Sequence, residues 1–500
     1  MSRVSAAISD AGAVKSSESH RLGLLLAATM LLYVPFFNAF TVPYPDFFSY
    51  HETAEALTRL TWPETFKRMP LFPLIIGGLA RLLPGPDAIL HAAQLWNLLL
   101  APVCLWLIFR LARRVVRAPV AAAVAALCAV NPVMVYSVTQ PQIELTILLT
   151  VLLVIEWAWQ GRVGWAYVAA AAASLTRHEI AVVIPLLLLH DRLRHGARLP
   201  AHRLLWPALA ASGFVAWCAV SLLHESGGGP YARELLTRHD GGWRVFLAGS
   251  LRVMWGVLPD SLLRVVAVRW GLWLLSAGLI GTGLALLARR HRVRSAMLLG
   301  FFMAYGAIHA IFPSFLPRYV LPVLWILYLA SAVAVDAMSA GGARWLGRAK
   351  LLLVAAALIG GVASSIQLMR RPSVLTNRST FRQVGEWYRA AARPGDKLVV
   401  TLPRIVRYYS GLPGESVVPS GSLDASSVEA LLQELREKGV TYVVWDSLYA
   451  HGRGYDATRH KAHLLTMLVD QAPSQLQFVH RFREGSEQTI VYRIRSGGAP

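Results

Sequence analysis

Long apolar runs joined by short, strongly basic connections dominate the first three quarters of the chain. About 20 consecutive apolar residues in a helix span the hydrocarbon core of a bilayer. The runs predict about eleven helical crossings, at residues 22–40, 88–109, 118–136, 142–159, 164–175, 178–190, 204–223, 267–288, 295–312, 319–336 and 351–368. The pattern therefore predicts an all-α polytopic membrane domain.

The composition changes from apolar to soluble at Pro372. Beyond it, amphipathic helices at 381–392 and 428–438 alternate with apolar strands at 397–401 and 441–445. Such alternation is typical of a small α/β domain. The predicted organisation is a cytoplasmic tail at 1–21, a transmembrane domain at 22–371 with a first outer loop at 41–87, and an extracytoplasmic α/β domain at 372–500.

The basic connections predict the orientation in the membrane. Their arginines form three clusters: Arg110, Arg113, Arg114 and Arg117; Arg192, Arg194, Arg198 and Arg203; and Arg289, Arg290, Arg292 and Arg294. Cytoplasmic loops carry such an excess of positive charge. All three clusters reach the cytoplasm only if the run 164–190 is split into two short helices at 176–178. That split places the chain after residue 370 outside the cytoplasm.

Composition and charge narrow the class of protein further. Hydrophobic residues make up 55% of the chain and charged residues 15%, and the mean hydropathy is +0.47. A soluble protein would carry about 25% charged residues. The net charge of +21 is divided among loops and no nucleic-acid-binding module is recognisable, so no nucleic acid partner is predicted. Cys104, Cys128 and Cys218 lie within apolar runs without metal-binding spacing.

Candidate chemistry begins in the first outer loop. Asp46 follows the first apolar run at the predicted membrane boundary, where a carboxylate can take a proton from an attacking hydroxyl. The alternative for Asp46 is a helix cap, with Glu52 on the solvated face of that helix. Tyr50 lies between them in the sequence, and Arg68 follows in the same loop.

Further ionisable residues lie at the predicted ends of the helices. Glu144 begins the fourth crossing, where a carboxylate either faces water or a partner, or favours the helix dipole. Arg177, His178 and Glu179 interrupt the two short helices, and interruptions of this kind often line a site.

Arginine is the residue best suited to bind phosphate oxygens at a membrane boundary, because its planar fork matches their geometry. Arg318 and Tyr319 open the tenth crossing, and His309 lies one crossing earlier. Arg318 and Arg68 are therefore candidates to receive a phosphate. The alternative is that each arginine only reaches from a helix end towards the interface.

Five motifs occur in order between residues 22 and 370. They are Asp46-Phe-Phe-Ser-Tyr50 with Ala54 and Leu57; Arg68-Met-Pro70-Leu-Phe-Pro73; Asn131-Pro132 with Tyr136, Ser137 and Glu144; Ser174-Leu-Thr-Arg177-His-Glu179; and Arg318-Tyr319-Val-Leu-Pro322. Together they resemble the GT-C superfamily of lipid-dependent glycosyltransferases, in particular protein O-mannosyltransferases and lipid A aminoarabinose transferases. One position departs from the family: Phe47 stands where a second acidic residue is usual.

The resemblance implies that the protein acts at the outer face of a bacterial inner membrane. A sugar would pass from a polyprenyl phosphate, with undecaprenyl phosphate as the expected carrier, to a glycan, lipid or protein acceptor, with inversion. Membrane lipids and these two substrates are the expected partners. The alternatives are a transporter, a polymerase-like protein or a non-catalytic component of a cell-envelope glycan assembly system.

The resemblance also assigns roles to the matching residues. Asp46 would act as the base or position the acceptor, with Glu144 supporting the site. Arg68, Arg318, Tyr319 and Arg177 would bind the lipid phosphate of the donor, and the supporting residues would be Tyr50, Glu52, His178, Glu179 and His309. No metal and no cofactor are expected, because two arginines can stabilise the charge of a leaving phosphate in a site of low dielectric constant.

Overall fold

The computed structural model describes residues 16–36, 42–196, 201–224, 242–257, 266–311, 316–339, 344–370, 378–450, 461–484 and 487–495. The chain divides into two compact units. One comprises Met1–Ala39 and Tyr50–Arg370 and is called the membrane unit below; the other comprises Phe40–Ser49 and Arg371–Pro500 and is called the C-terminal unit.

Helices build the membrane unit. They are Ser16–Tyr33, Leu71–Ala80, Ala88–Arg113, Ala118–Val130, Pro132–Thr139, Glu144–Gln160, Val163–Ser174, Val183–His195, Ala201–His224, Gly242–Met254, Val266–Arg290, Arg292–Ile311, Leu321–Ser339 and Arg344–Arg370. A further helix, Asp46–Thr58, begins in the C-terminal unit and continues in the membrane unit. Within the described residues, five helices are long and apolar enough to cross a membrane, or six with one bent pair counted as a span. The chain is a multi-pass membrane protein; the count of eleven crossings stays a prediction.

The interruption predicted within 164–190 is present. Helix Val163–Ser174 ends before Arg177, a short 3₁₀ turn spans His178–Val182, and helix Val183–His195 follows directly. A 3₁₀ turn between two helices changes the direction of the chain without leaving many backbone groups unpaired. The three ionisable residues predicted at this break therefore lie between two helix ends.

A second interruption divides the predicted helix 118–136. Helices Ala118–Val130 and Pro132–Thr139 meet at a bend of 59°, because proline has no N–H to continue the hydrogen-bond ladder. Carbonyls at the end of the first helix instead accept hydrogen bonds from the hydroxyls of Tyr33, at 2.9 Å, and Ser365, at 3.1 Å. The Asn131 side chain caps the second helix. Such side-chain partners are required where backbone is broken away from water.

Over its described residues, the C-terminal unit is built on a mixed, five-stranded sheet of order β2-β1-β3-β5-β4. The strands are β1 (Lys397–Val400), β2 (Val417–Pro419), β3 (Val440–Asp446), β4 (Leu476–Glu484) and β5 (Glu487–Ile494). β1 pairs in parallel with β2 and β3, and β5 pairs antiparallel with β3 and β4. The main helices beside it are Ser379–Ala391, Pro403–Ser410, Val428–Glu437 and Ala462–Gln471. The α/β character predicted for this region is confirmed.

A buried carboxyl group lies where β3 ends. Asp446 is only 3% exposed. Its carboxylate oxygens accept hydrogen bonds from the Thr401 hydroxyl, at 2.7 Å, and from the backbone N–H of Tyr449, at 2.8 Å. Removal from water nevertheless outweighs these bonds and raises the pKa of Asp446 from 3.8 to about 6.

This raised pKa predicts that the sheet loses stability as the pH rises from below 4 to above 6. The folded state binds the Asp446 proton more tightly than the unfolded state does, so the contribution is fully present below 3.8 and disappears as the pH rises through about 6. A shift of this size corresponds to about 3 kcal/mol. Hydrogen exchange of β1 and β3 in the full-length protein, corrected for intrinsic rates, should show this trend.

Asp446→Asn should weaken the trend, since an amide does not titrate in this range. The matched control is Asp470→Asn, which changes an exposed carboxylate in the same unit and should leave the trend in place. An identical pH dependence in the wild type and in Asp446→Asn would contradict the assignment.

Candidate functional site

A buried arginine joins two helix starts in the membrane unit. Arg318 lies in the 3₁₀ turn Pro317–Val320, which leads into helix Leu321–Ser339, and it is 7% exposed. Its Nη1 donates a hydrogen bond of 2.7 Å to Oε1 of Gln142. Its Nε lies 3.4 Å from Oε1 of Glu144. Arg318 thus contacts both polar residues at the start of the fourth predicted crossing.

The turn that carries Gln142 is held by one amide. Asn97, fully buried within helix Ala88–Arg113, donates through Nδ2 to the backbone carbonyls of Ser137 (3.3 Å), Gln140 (2.7 Å) and Gln142 (2.8 Å). Backbone carbonyls without a hydrogen bond are costly away from water. Asn97 therefore fixes the turn that presents Gln142 to Arg318.

Tyr319 brings a second arginine into the same cluster. The guanidinium carbon of Arg177 lies 4.9 Å from the centre of the Tyr319 ring, and that of Arg318 lies 5.5 Å from it. An aromatic ring attracts a cation on its face, more strongly where water is excluded. Two arginines that are distant in sequence thus meet at one ring.

The carboxylate of Glu179 balances Arg177. Its Oε1 lies 2.6 Å from Nη2 of Arg177 and 3.8 Å from Nε2 of His309. The His309 ring in turn stacks on Tyr319, with centroids 4.6 Å apart and planes at 24°. Glu179 and His309 are 5% and 6% exposed. Arg177, Glu179 and His309 therefore form one group with Tyr319, in which Glu179 and His309 are buried.

Arg68 and Tyr50 form a pair beside the helix break. Nη1 of Arg68 lies 3.4 Å from the Tyr50 hydroxyl, and its guanidinium lies 4.5 Å from the centre of the ring. The segment that follows is tied to the break by a backbone hydrogen bond from Leu71 to Leu175, of 3.0 Å. Arg68 also acts electrostatically on His178. Within the membrane unit, Arg68 is thereby linked to the residues of the break.

The cluster carries a small excess of positive charge. Arg177 is paired with Glu179 and Arg318 with Glu144, and Arg68 adds a positive charge beside the break. Oε2 of Glu144 is buried and has no hydrogen-bond partner within the described residues. A buried oxygen without a partner is unfavourable, and a donor group of a substrate can satisfy it.

The remaining predicted residues lie on helix Asp46–Thr58. Asp46 is its first residue and belongs to the C-terminal unit, whereas the half-buried Glu52 belongs to the membrane unit. The structure thus brings Glu144, Arg318, Tyr319, Arg177, Glu179 and His309 into direct contact and places Arg68, Tyr50 and His178 at the break. In the described part of the chain, no set of three His, Cys, Asp or Glu side chains is arranged to hold a metal.

Sequence reasoning missed Gln142 and Asn97. Gln142 lies two residues before Glu144, and its amide is the hydrogen-bond acceptor for Arg318. Asn97 is a lone amide in the middle of an apolar run. A polar residue within a crossing usually has a partner in the protein interior, so this signal was present in the sequence.

The fold of this chain defines its class as a multi-pass membrane protein with the architecture of GT-C glycosyltransferases, and the predicted resemblance is confirmed at that level. ArnT from Cupriavidus metallidurans, solved with undecaprenyl phosphate, matches with a TM-score of 0.61 and 15% identity, over 95% of this chain and 98% of ArnT. The archaeal oligosaccharyltransferase AglB from Archaeoglobus fulgidus, solved with an inhibitory peptide and a dolichol-phosphate, matches with a TM-score of 0.56 and 13% identity, over 97% of this chain and 75% of AglB.

Sequence comparison adds nothing to this likeness of fold. No protein-family model matches the chain, and no curated protein matches it.

The Asn97 amide provides a test of the geometry. Asn97→Leu removes the donor and leaves three buried carbonyls without it, so we expect a loss of about 1–3 kcal/mol in stability. Thermal unfolding of the detergent-solubilised protein would measure the loss. Thr150→Val is the matched control, because the buried Thr150 hydroxyl donates to carbonyls of its own helix. Equal melting temperatures for the two variants would contradict the role of Asn97.

Proposed function

We propose that this protein transfers a hexose or pentose from a polyprenyl phosphate to an acceptor hydroxyl at the outer face of the bacterial inner membrane. Undecaprenyl phosphate is the proposed carrier, and the acceptor is a glycan, a lipid or a protein. The observation that carries the proposal is the meeting of Arg177 and Arg318 at Tyr319, in a fold shared with ArnT bound to undecaprenyl phosphate.

The charge of the cluster fits the proposed donor. A polyprenyl-phosphate sugar is a phosphodiester with one negative charge, and Arg68 adds a positive charge beside the paired Arg177–Glu179 and Arg318–Glu144. Arg68 and Arg318 are proposed to bind the phosphate oxygens, with Arg177 beside them. Because Glu144 and Glu179 neutralise two of the three arginines, the site holds a singly charged group without burying a large net charge.

The reaction proposed is a single displacement. The acceptor oxygen forms a bond to the anomeric carbon of the sugar while the bond from that carbon to the phosphate oxygen breaks. The electron pair of the broken bond leaves with the polyprenyl phosphate, and Asp46 takes the proton of the acceptor hydroxyl. Attack from the side opposite the phosphate inverts the anomeric configuration. Arginines held in place before the reaction stabilise the charge that develops on the leaving phosphate.

The orientation proposed for the chain follows from its basic loops. Arg110, Arg114 and Arg194 belong to the predicted cytoplasmic clusters. The cluster around Tyr319 and the C-terminal unit are accordingly proposed to work on the outer side, where lipid-linked sugars meet their acceptors.

Removal of a phosphate-binding arginine should weaken donor binding. Each lost charge-assisted contact costs about 1.5–3 kcal/mol, which corresponds to roughly 10- to 150-fold in the dissociation constant. Arg68→Ala and Arg318→Lys should therefore bind undecaprenyl phosphate more weakly, as measured by titration in detergent. Lysine keeps the charge beside Glu144 and loses only the planar fork.

Arg192→Ala provides the control, because this exposed arginine lies in a predicted cytoplasmic cluster. It should bind undecaprenyl phosphate as the wild type does. If both Arg68→Ala and Arg318→Lys bind undecaprenyl phosphate with wild-type affinity, the proposed phosphate site is refuted.

Substitution of the proposed base tests the chemistry separately from binding. Asparagine is tolerated at a helix start about as well as aspartate, yet its amide does not accept a proton at neutral pH. Asp46→Asn should fold, bind undecaprenyl phosphate normally and lose roughly 10²–10⁴-fold in turnover. Release of undecaprenyl phosphate from undecaprenyl-phosphate-linked hexoses and pentoses would measure this.

Glu55→Gln is the matched control, since it removes a carboxylate from the same helix. It should retain most of the turnover. Near-normal transfer by a folded Asp46→Asn protein would eliminate Asp46 as the base and return it to a structural role.

A further inference from the structure

The segment that carries Asp46 is part of the C-terminal unit. Residues 40–49 group with 371–500, although more than 320 residues separate them in the sequence. The described part of this segment is well buried: Val42, Phe47 and Phe48 are each 0–1% exposed. The proposed base is therefore flanked in sequence by buried side chains of residues that group with the C-terminal unit.

Four aromatic residues, Phe47, Phe48, Tyr408 and Tyr409, form a cluster that we call the aromatic anchor. Ring centroids lie 5.2 Å apart for Phe48 and Tyr408, 6.4 Å for Phe47 and Tyr408, and 6.4 Å for Phe48 and Tyr409. All three pairs are edge-to-face, with planes at 65–75°, which is a preferred arrangement of aromatic rings. Such pairs restrict orientation as well as distance.

The helix that supplies the two tyrosines is itself closely packed. Pro403–Ser410 approaches helix Ser379–Ala391 at Gly385, where a Cβ atom would lie 2.8 Å from Cβ of Tyr409 and 3.1 Å from the carbonyl oxygen of Val406. On the other side, Nη2 of Arg407 donates to the Val417 carbonyl, at 3.0 Å. The tyrosines are thus presented by a helix that is held on two sides.

A second contact fixes the segment just before Asp46. The guanidinium of Arg378 lies 5.3 Å from the centre of the Tyr44 ring, and its Nη2 lies 3.4 Å from the Tyr449 hydroxyl. The Ser49 hydroxyl donates to the carbonyl oxygen of Asp46, at 2.8 Å, within the first turn of the helix. Contacts before and after Asp46 therefore both restrict its backbone.

We propose that the C-terminal unit positions the Asp46 carboxylate for proton transfer, with Tyr408 and Tyr409 as positioning residues that act through Phe47 and Phe48. The proposal rests on the role of Asp46 in the proposed function. It also gives Phe47 a role: the position at which the resembling family has an acidic residue serves here as a contact that orients its neighbour, and no carboxylate is needed there.

The proposal predicts a loss of turnover without a loss of donor binding. A displacement of about 1 Å at a reacting group can lower the rate roughly 100-fold. Tyr408→Ala in the full-length protein should therefore release undecaprenyl phosphate from its linked sugar about 10- to 100-fold more slowly. Its affinity for undecaprenyl phosphate should stay within about twofold of the wild type, a factor that corresponds to less than 0.5 kcal/mol.

Tyr408→Phe keeps the ring and should restore turnover to near the wild-type rate. Phe478→Ala is the control, because this side chain is 56% exposed on β4, in the same unit but outside the anchor. It should leave turnover unchanged. If Tyr408→Ala fails to fold, Phe48→Leu keeps a buried apolar side chain without the ring and should show the same loss of turnover.

A double-mutant cycle separates positioning from general destabilisation. If Tyr408 acts through Asp46, Tyr408→Ala should cause no further loss when added to Asp46→Asn. If the double variant instead loses turnover by the product of the two separate factors, the positioning role is overturned and the proposed function is left intact. Loss of activity in Asp46→Asn with full activity in Tyr408→Ala would also overturn the positioning role and leave the proposed function intact.

Hydrogen exchange gives a readout that does not depend on activity. Amides of residues 46–49 should exchange faster in Tyr408→Ala than in the wild type or in Phe478→Ala. Unchanged exchange there would refute the proposal even if the protein transferred no sugar. Failure of the proposed function alone would instead appear as a wild type that is inactive on every linked sugar, with faster exchange still seen in Tyr408→Ala.

Discussion

The membrane unit depends on the pairing of charges that have been taken out of water. A buried ion pair is tolerated only where each partner is also hydrogen-bonded or otherwise compensated. Arg318 is paired with Glu144 and also donates a hydrogen bond to Gln142, and Glu179 is paired with Arg177 and lies beside His309. The contacts of Arg318 connect the starts of helices that are far apart in sequence, so the same interactions that hold these helix ends together also assemble the candidate site.

Much of the fold could be predicted because apolar runs and basic loops reflect the membrane directly. Elements with a weaker pattern of apolar and polar residues could not be predicted. Helix Gly242–Met254 is amphipathic and too short to cross a bilayer, and it was not predicted. Strand β4 was missed because it is an edge strand whose exposed side chains do not alternate with buried ones. Its partner β5 was not predicted either, and it pairs with β3, a strand that is distant in sequence.

The candidate site was predictable as a set of residue types and unpredictable as a set of contacts. Arg318 and Gln142 are 176 residues apart, and nothing in local sequence indicates that distant helix ends will meet. The likeness of the five motifs to a known family identified most of the ionisable members. It did not identify Asn97, whose role is to hold the turn beside them, and it left Phe47 as an unexplained departure. Only the packing of the C-terminal unit shows which rings contact Phe47.

The bend between Ala118–Val130 and Pro132–Thr139 has a consequence for the order of events during biosynthesis. Its free carbonyls accept hydrogen bonds from Tyr33, near the beginning of the membrane unit, and from Ser365, near its end. Chains fold progressively as they leave the ribosome, but the Ser365 hydroxyl does not exist until almost all of this unit has been made. The Val130 carbonyl therefore lacks its hydrogen bond from Ser365 until the later helices have been inserted. Final closure of the bundle around the bend becomes one of the last steps in the maturation of the protein.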